Sequence, residues 1–317
     1  MMPSTPPAPA EDRRVVCIVV TPGSGEGRAW GVARRLRRIL RRRGHAASIQ
    51  SFPDLETLSA WAHADRPDFS VLLCVGGDAT QSAAAALARR WRIPFAPVPN
   101  GFGNLFASVF GHTSAPRRVA QLVRTGVVRL VDVGTVDGDD DALFLSHRSY
   151  GVLEHIQEAV EAGRRQPRER ARRHAAYYAR AARAFWRLPL DPWRVEVDGA
   201  AVAEDAVVVT VANVETYRGF LNLTPSASPM DGRFDVFVMP RTSRPGLAWR
   251  LLRLKLGLPG RWRGVALFRG REVVVSTARK RDTLRVSRRA LPLLVPAGAI
   301  EAFTQRRVEE APEPTGA

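Results

Sequence analysis

The chain has 317 residues, and its 48 Lys and Arg residues against 31 Asp and Glu residues give a formal net charge of +17. At about 150 residues per domain, this length favours two domains, each large enough for its own core. The composition is 45% hydrophobic and 25% charged, which excludes collagen-like, coiled-coil and wholly disordered proteins. The two cysteines, Cys17 and Cys74, each lie in an apolar run, which predicts buried thiols and neither a disulfide framework nor a cysteine-based zinc site.

The distribution of apolar residues bears on cellular location. No apolar stretch reaches the roughly 18 residues that span a bilayer. The N-terminus lacks the basic and then apolar layout of a signal peptide. We therefore expect a cytoplasmic protein with disordered tails at residues 1–12 and 309–317. The excess positive charge favours anionic partners such as phosphates, nucleic acid or acidic lipid headgroups, and does not choose among them.

The first third of the chain alternates predicted strands and helices. Residues 14–20 form a β-branched run typical of a strand buried on both faces. Apolar residues at helical spacing then predict an amphipathic helix that ends at Gly44. A strand at 46–51, a helix at 55–64 and a strand at 70–75 follow. This alternation predicts an α/β nucleotide domain with an open parallel sheet, over residues 13–129.

The pattern changes after residue 129, where predicted strands follow one another with few helices between them. These strands cover residues 129–136, 142–147, 193–197, 206–213, 234–239, 272–276 and 283–286. We predict a mostly antiparallel second domain, a β-sandwich or a barrel, over residues 130–292. A helical stretch at 151–186 and a shorter one at 245–256 interrupt it, and residues 293–308 are expected to pack back on the first domain.

Two glycine-rich loops follow successive predicted strands. The first contains Gly76, Gly77, Asp78, Ala79 and Thr80. Paired glycines allow close approach of the backbone to a phosphate, and a helix N-terminus offers free N–H donors. Asp78 could hold a divalent metal on those phosphates, or it could simply cap the helix after an ordinary turn.

The second loop contains Pro99, Asn100, Gly101, Phe102, Gly103 and Asn104. Loops at the carboxyl ends of neighbouring parallel strands meet at one edge of the sheet, where such sheets bind ligands. This shared edge favours a phosphate site over two unrelated turns. A third loop at residues 21–25 falls on the same edge, and it fits neither the Walker A nor the dinucleotide-binding spacing.

The order of these motifs resembles the diacylglycerol kinase catalytic-domain family, bacterial lipid kinases included. Members carry Gly-Gly-Asp-Gly-Thr and then Pro-x-Gly-Thr-x-Asn-Asp-Phe-Ala, which correspond to residues 76–80 and 99–107 here. The segment 131–134 resembles the start of the family's second domain, and Asp231 and Gly232 resemble its Asp-Gly stretch. The resemblance extends from about residue 15 to residue 303.

The resemblance implies a fold, two cofactors and a reaction. ATP with Mg²⁺ would lie between an α/β domain and a β-sandwich domain, and the γ-phosphoryl group would pass to a lipid hydroxyl such as that of diacylglycerol. The residues that would bind the nucleotide, or act in catalysis in the case of Asp78, are Ser51, Gly76, Gly77, Asp78, Thr80, Gly101, Gly103 and Asn104. Asp231 matches an acidic position at the family's structural metal. The implied partners are a lipid substrate and an anionic membrane surface bound peripherally, with no specific nucleic acid.

The sequence departs from the family pattern at five motif positions. Ala79, Ala83, Phe102 and Leu105 replace a glycine, a glutamate, a threonine and an aspartate, in that order. Arg289 stands where the family has the glutamate that accepts the hydroxyl proton, and an arginine stays protonated near neutral pH. Asp282 is the nearest acidic candidate for a replacement base.

Three functions remain open from the sequence. The chain is a lipid kinase of phospholipid metabolism, a catalytically impaired relative that binds lipid or nucleotide in a regulatory role, or, more remotely, a soluble NAD-kinase-like enzyme. Nucleic-acid binding, which the charge alone would favour, lacks any matching motif. The helix at 246–258 interleaves Trp and Leu with Arg and Lys, which is typical either of an interfacial helix or of a helix that covers its own β-domain.

Overall fold

The computed structural model describes residues 13–21, 27–61, 68–101, 103–164, 179, 182–183, 185–187, 190–215, 223–256, 265–299 and 303. The predicted tails, most of the predicted loop at 21–25, and Phe102 lie outside these residues.

The N-terminal part is a parallel sheet with helices between its strands. Its strands are β1 (Val15–Val20), β2 (Ala46–Ser51), β3 (Val71–Gly76) and β4 (Phe95–Pro99), in the spatial order β4-β3-β1-β2. Its helices are α1 (Arg28–Arg42), α2 (Leu55–Trp61), α3 (Asp78–Trp91), α4 (Leu105–Val109) and α5 (Pro116–Thr125). Every residue of β3 is buried, which is what the continuous apolar run predicts for a central strand.

The C-terminal part is mainly antiparallel. Its strands are β5 (Val127–Val136), β6 (Asp139–Phe144), β7 (His147–Gly151), β8 (Trp193–Val197), β9 (Ala200–Ala212), β10 (Phe234–Pro240), β11 (Ala266–Gly270), β12 (Glu272–Ser276) and β13 (Arg281–Val295). Two described helices accompany them, α6 (Val152–Arg164) and α7 (Arg244–Lys255). The predicted fold class, parallel α/β first and antiparallel β second, is confirmed.

One predicted strand proves to be two. The strand predicted at residues 142–147 ends with β6 at Phe144, and β7 begins at His147. Asn213 explains the break, because its Nδ2 donates to the carbonyl of Leu145 at 2.9 Å while its own N–H donates to the carbonyl of Ser146 at 2.8 Å. These bonds hold the chain in a bend between the two strands.

Two long strands connect the two parts. β5 and β13 pair antiparallel with each other, and β13 also pairs with β4 in parallel at Leu293 and Phe95. One apolar cluster includes Leu87 of α3, Phe106 of α4, Val131 of β5 and Leu291 of β13. The two parts therefore share a core beneath the second glycine loop.

Candidate active site

The two glycine-rich loops, residues 76–80 and 100–104, lie against each other and are called the paired glycine loops below. The N–H of Asn100 donates to the carbonyl of Gly76 at 2.9 Å. A Cβ added to Gly101 would lie 2.5 Å from the Cα of Gly77, so only glycine allows the backbones this close. The loops thus meet at the carboxyl edge of the sheet, as the strand order predicts.

Asp78 joins the paired glycine loops through its carboxylate. Its two oxygens accept the backbone N–H groups of Asn104 at 2.8 Å and Leu105 at 3.0 Å, at the start of α4. Burial raises the pKa of the Asp78 carboxyl above its usual range, while these hydrogen bonds act in the opposite direction. Asp78 therefore connects the two loops through hydrogen bonds, and its carboxylate takes up a proton more readily than that of an exposed aspartate.

Asn104 and Gln81 fix the backbone of the loops. Asn104 has a left-handed conformation with φ of 50°, and its side chain both accepts from the N–H of Gly101 at 2.9 Å and donates to its carbonyl at 2.7 Å. Gln81 is fully buried and donates to the carbonyl of Gly76 at 2.9 Å. Gln81 was not predicted as a site residue; the available signal was a polar residue on the alanine-rich helix that follows the motif.

Thr80 and Ala79 show how the first loop tolerates its departure from the family pattern. The buried Thr80 side chain packs on Gly76, where an added Cβ would lie 2.7 Å from the Thr80 Cβ. Ala79 is exposed in the first turn of α3 and does not have a positive φ. Its methyl group therefore causes no backbone strain, in contrast to the cost expected for a left-handed position.

Ser51 lies at the same edge of the sheet but farther from the loops. It pairs with Val20 at the end of β1, and Val20 in turn pairs with Val75 of β3. At about 4.8 Å between strands, Ser51 is roughly 10 Å from the first glycine loop. This distance suits a contact with an outer part of a nucleotide and excludes direct participation in the loop.

Two positions that are acidic in the family carry apolar residues that pack against the core. Ala83 and Leu105 both pack against the apolar cluster that contains Phe106. Within the described residues of the paired glycine loops, Asp78 is consequently the single carboxylate. Mg²⁺ commonly binds through substrate phosphates together with one or two carboxylates, so Asp78 alone does not form a metal cage, and the phosphates of ATP would hold the ion here.

A second group of contacts centres on Asp132, which is 2% exposed. Its carboxylate accepts the N–H of Gly232 at 2.7 Å and the N–H of Arg289 at 2.7 Å. Asp132 thus joins β5 to the Asp-Gly turn and to an irregularity in β13, where the register with β5 shifts between Ser287 and Leu291. From the sequence, Asp132 was assigned only to the motif at 131–134. A single acidic residue in an apolar strand indicates a buried side chain that accepts hydrogen bonds.

The irregularity in β13 carries positive charge where the family has its base. Arg289 is exposed and has a φ of 47°, and Arg288 packs beside Gly232. Asp282 lies seven residues earlier on β13, roughly 20 Å from Arg289 at strand spacing. Its carboxylate is also paired with the amine of Lys280 at 3.4 Å. Both observations argue against Asp282 as the substitute base.

Asp231 was expected at a metal site, and its surroundings argue against a metal there. Arg269 binds Asp231 through Nη2 and the buried Asp235 through Nε, the latter at 2.9 Å. The hydroxyl of Ser226 donates to the other oxygen of Asp235. Among the residues that the structure describes, no group of three or more His, Cys, Asp and Glu side chains is arranged to hold a metal ion. The guanidinium already supplies the positive charge, so the described residues do not fit a metal at Asp231.

Sequence comparisons identify both parts of the chain. The diacylglycerol kinase catalytic domain matches residues 15–136, and the YegS C-terminal NAD kinase beta sandwich-like domain matches residues 149–288. Diacylglycerol kinases from two strains of Mycobacterium tuberculosis are 28% identical over 187 residues, which cover 58% of this chain and 58% of theirs. The aligned region thus spans less than two thirds of these relatives.

Solved structures share the fold. A diacylglycerol kinase from Bacillus anthracis str. Sterne superposes with a TM-score of 0.64 at 17% identity, covering 89% of this chain and 97% of that one. A second structure from the same organism gives a TM-score of 0.65 at 16% identity, covering 90% and 98%. The domain matches show that the chain carries a diacylglycerol kinase catalytic domain followed by a YegS C-terminal domain. The solved structures, at 16–17% identity, show that the fold is shared.

Proposed function

We propose that the protein is an ATP-dependent lipid kinase that transfers the γ-phosphoryl group to a lipid hydroxyl, with diacylglycerol as the first acceptor to test. The observation that carries this proposal is the contact between the paired glycine loops. Two glycine-containing backbone segments, the N-terminus of α3 and one partly buried carboxylate meet in this way at the same sheet edge. This arrangement suits a phosphate chain bound by backbone N–H groups.

Asp78 is the proposed acceptor of the hydroxyl proton. The lipid oxygen would bond to the γ-phosphorus while the bond to the bridging oxygen of ADP breaks, and the hydroxyl proton would pass to an Asp78 oxygen. The raised pKa of this carboxyl favours such a transfer, and Arg289 has no capacity to accept a proton. Mg²⁺ bound with ATP would neutralise charge on the phosphates.

The proposal includes a location. The described residues contain no helix long and apolar enough to cross a membrane. A lipid acceptor lies in a bilayer, so we propose a protein that works from the cytoplasm and binds an anionic membrane surface peripherally.

A second function is favoured by a specific observation. Ala83 and Leu105 are partly buried against the core and Arg289 replaces the base, so three acidic groups are missing. A protein with these changes could bind nucleotide or lipid without phosphoryl transfer and act in regulation.

Calorimetric titration of Mg·ATP into the full chain tests the nucleotide site. We expect binding by the wild type, loss of binding in Asp78→Ala, and unchanged binding in Asp191→Ala, which removes an exposed carboxylate elsewhere. Circular dichroism of both variants checks that they fold. Absence of binding to the folded wild type at millimolar Mg·ATP would overturn the site.

Transfer from labelled ATP to diacylglycerol in mixed micelles then separates the two functions. Product formation supports the kinase. Nucleotide binding without transfer to diacylglycerol, other lipid alcohols or NAD would support the regulatory function and contradict the kinase.

A further inference from the structure

Helix α7 is apolar on two opposite faces. Leu247 is fully buried, and Leu251 and Leu254 pack against the same cluster, so this face covers the β-domain as one of the two sequence interpretations predicts. The other side carries Trp249, Leu252 and Leu256, which are 57%, 46% and 60% exposed. We call these three residues the outward stripe.

The spacing of the outward stripe is helical. Positions 249, 252 and 256 differ by three and four residues, so their side chains lie above one another on one side of the helix. That side is opposite to Leu247 and Leu254, which contact the core. A helix that covers a core normally presents polar residues to water on this side. The outward stripe is therefore an apolar surface that the described part of the fold does not cover.

A fourth exposed apolar side chain lies near the N-terminal end of α7. Trp186 is 55% exposed, and its neighbour Phe185 belongs to the same cluster as Leu247. The guanidinium of Arg244, at the start of α7, donates to the carbonyl of Phe185 at 2.9 Å. Two exposed tryptophans thus belong to segments that pack together.

The charges around the outward stripe identify its partner. Arg250, Arg253 and Lys255 alternate in sequence with the exposed apolar residues; Lys255 is exposed, whereas Arg250 and Arg253 are half-buried and each has a buried guanidinium nitrogen. A helix that lies in a membrane surface has a typical composition. Its Leu side chains enter the acyl region, its Trp side chains lie at the interface, and its basic residues face the headgroups. A second copy of the chain fits less well, since each copy carries +17 and like charges repel.

We propose that the outward stripe of α7 docks the protein onto an anionic lipid bilayer, with the helix lying parallel to the membrane plane. The proposal deepens the proposed function by naming the surface that would bring the protein to a lipid acceptor. Basic residues near an anionic surface strengthen binding by on the order of fivefold each, and the leucines and tryptophan supply the apolar insertion.

Sedimentation with lipid vesicles in the absence of nucleotide tests the proposal. We expect the full chain to bind vesicles of phosphatidylglycerol and phosphatidylcholine and to bind pure phosphatidylcholine weakly. The double variant Leu252→Glu with Leu256→Glu should bind the anionic vesicles about tenfold or more weakly, because two carboxylates replace the inserted side chains. The matched control is Leu267→Glu on β11, where the leucine is 50% exposed outside the stripe; it should bind like the wild type.

Two results would overturn the proposal. The first is equal binding by the double variant and the wild type. The second is a wild-type dimer in analytical ultracentrifugation that becomes a monomer in the double variant, since the stripe would then contact a second copy. Because no ATP is present, loss of the proposed kinase function would leave the vesicle result unchanged, and a failure of vesicle binding would leave the Mg·ATP titration intact.

Discussion

Gly101 is the residue at which a single methyl group should do most damage to the site. An added Cβ would lie 2.5 Å from the Cα of Gly77, a backbone atom that cannot rotate away. Gly101→Ala should therefore separate the paired glycine loops, lower the free energy of unfolding by about 1–3 kcal/mol and weaken Mg·ATP binding. Urea denaturation and calorimetry measure the two effects.

Gly31 provides the matched control. It lies in the interior of α1, and an added Cβ would have no atom within 4 Å. Gly31→Ala should raise the free energy of unfolding by about 0.5–1 kcal/mol, because alanine loses less backbone entropy in a helix. If Gly101→Ala kept the stability and the ATP affinity of the wild type, this result would contradict the close contact between Gly101 and Gly77.

At the residue scale, the sequence predicted which residues meet but not how they bind each other. The glycines and Asp78 could be found because they follow buried strands. The bonds of Asp132 could not, since they join residues 100 and 157 positions apart in the chain. Only the tertiary fold brings the N–H groups of Gly232 and Arg289 to one carboxylate.

Among the elements, β11 is tied to the Asp-Gly turn by Arg269. Replacing it in Arg269→Met would leave Asp235 buried without its guanidinium partner, and the unfolding free energy should fall by about 2–3 kcal/mol. Arg194→Met is the control, because its partners Glu196 and Glu204 are on the surface and such pairs contribute about 0–1 kcal/mol.

Arg269→Met also tests whether the guanidinium of Arg269 occupies the place of a metal ion. The melting temperature of the wild type should be the same in EDTA and in millimolar Mg²⁺, because the guanidinium of Arg269 already binds both Asp231 and Asp235. In Arg269→Met, the two carboxylates lack a cation and Mg²⁺ should raise the melting temperature. A wild type that is destabilised by EDTA would contradict this assignment.

The regular elements could be predicted from sequence, and the irregular ones could not. The continuous apolar run of β3 reflects burial on both faces of the strand, and the helical spacing of apolar residues in α1 reflects burial on one face. The predicted strand at 283–286 is part of a strand that continues to Val295, through a shift in register at Asp132. Apolar periodicity does not record such a shift, because it arises where the carboxylate of Asp132 on β5 binds the N–H of Arg289 on β13.

Across the whole molecule, the two parts are held together by β13 as well as by the shared apolar cluster. His112, which follows α4, contributes to this connection: its Nε2 lies 2.9 Å from the carbonyl oxygen of Leu294 in β13. The ring is buried, and its Nδ1 has no hydrogen-bond partner among the described residues. A proton on Nδ1 would therefore place an unpaired charge inside the protein.

This burial makes stability depend on pH. Desolvation lowers the pKa of His112 from 6.5 to about 4, so between these values the unfolded chain binds a proton that the folded protein does not. The contribution of neutral His112 is fully present above pH 6.5 and is lost as the pH falls toward 4. From pH 7 to pH 5, His112 should lower the unfolding free energy by about 2 kcal/mol.

Urea denaturation at pH 7 and pH 5 tests this effect in three proteins. His112→Gln should lose less stability between the two pH values than the wild type, because glutamine does not titrate. His155→Gln, at a half-exposed histidine beside Glu158, should keep the wild-type difference. If His112→Gln lost as much stability as the wild type on acidification, His112 would not be the group responsible, and the acid sensitivity would belong to other carboxylates and histidines of the fold.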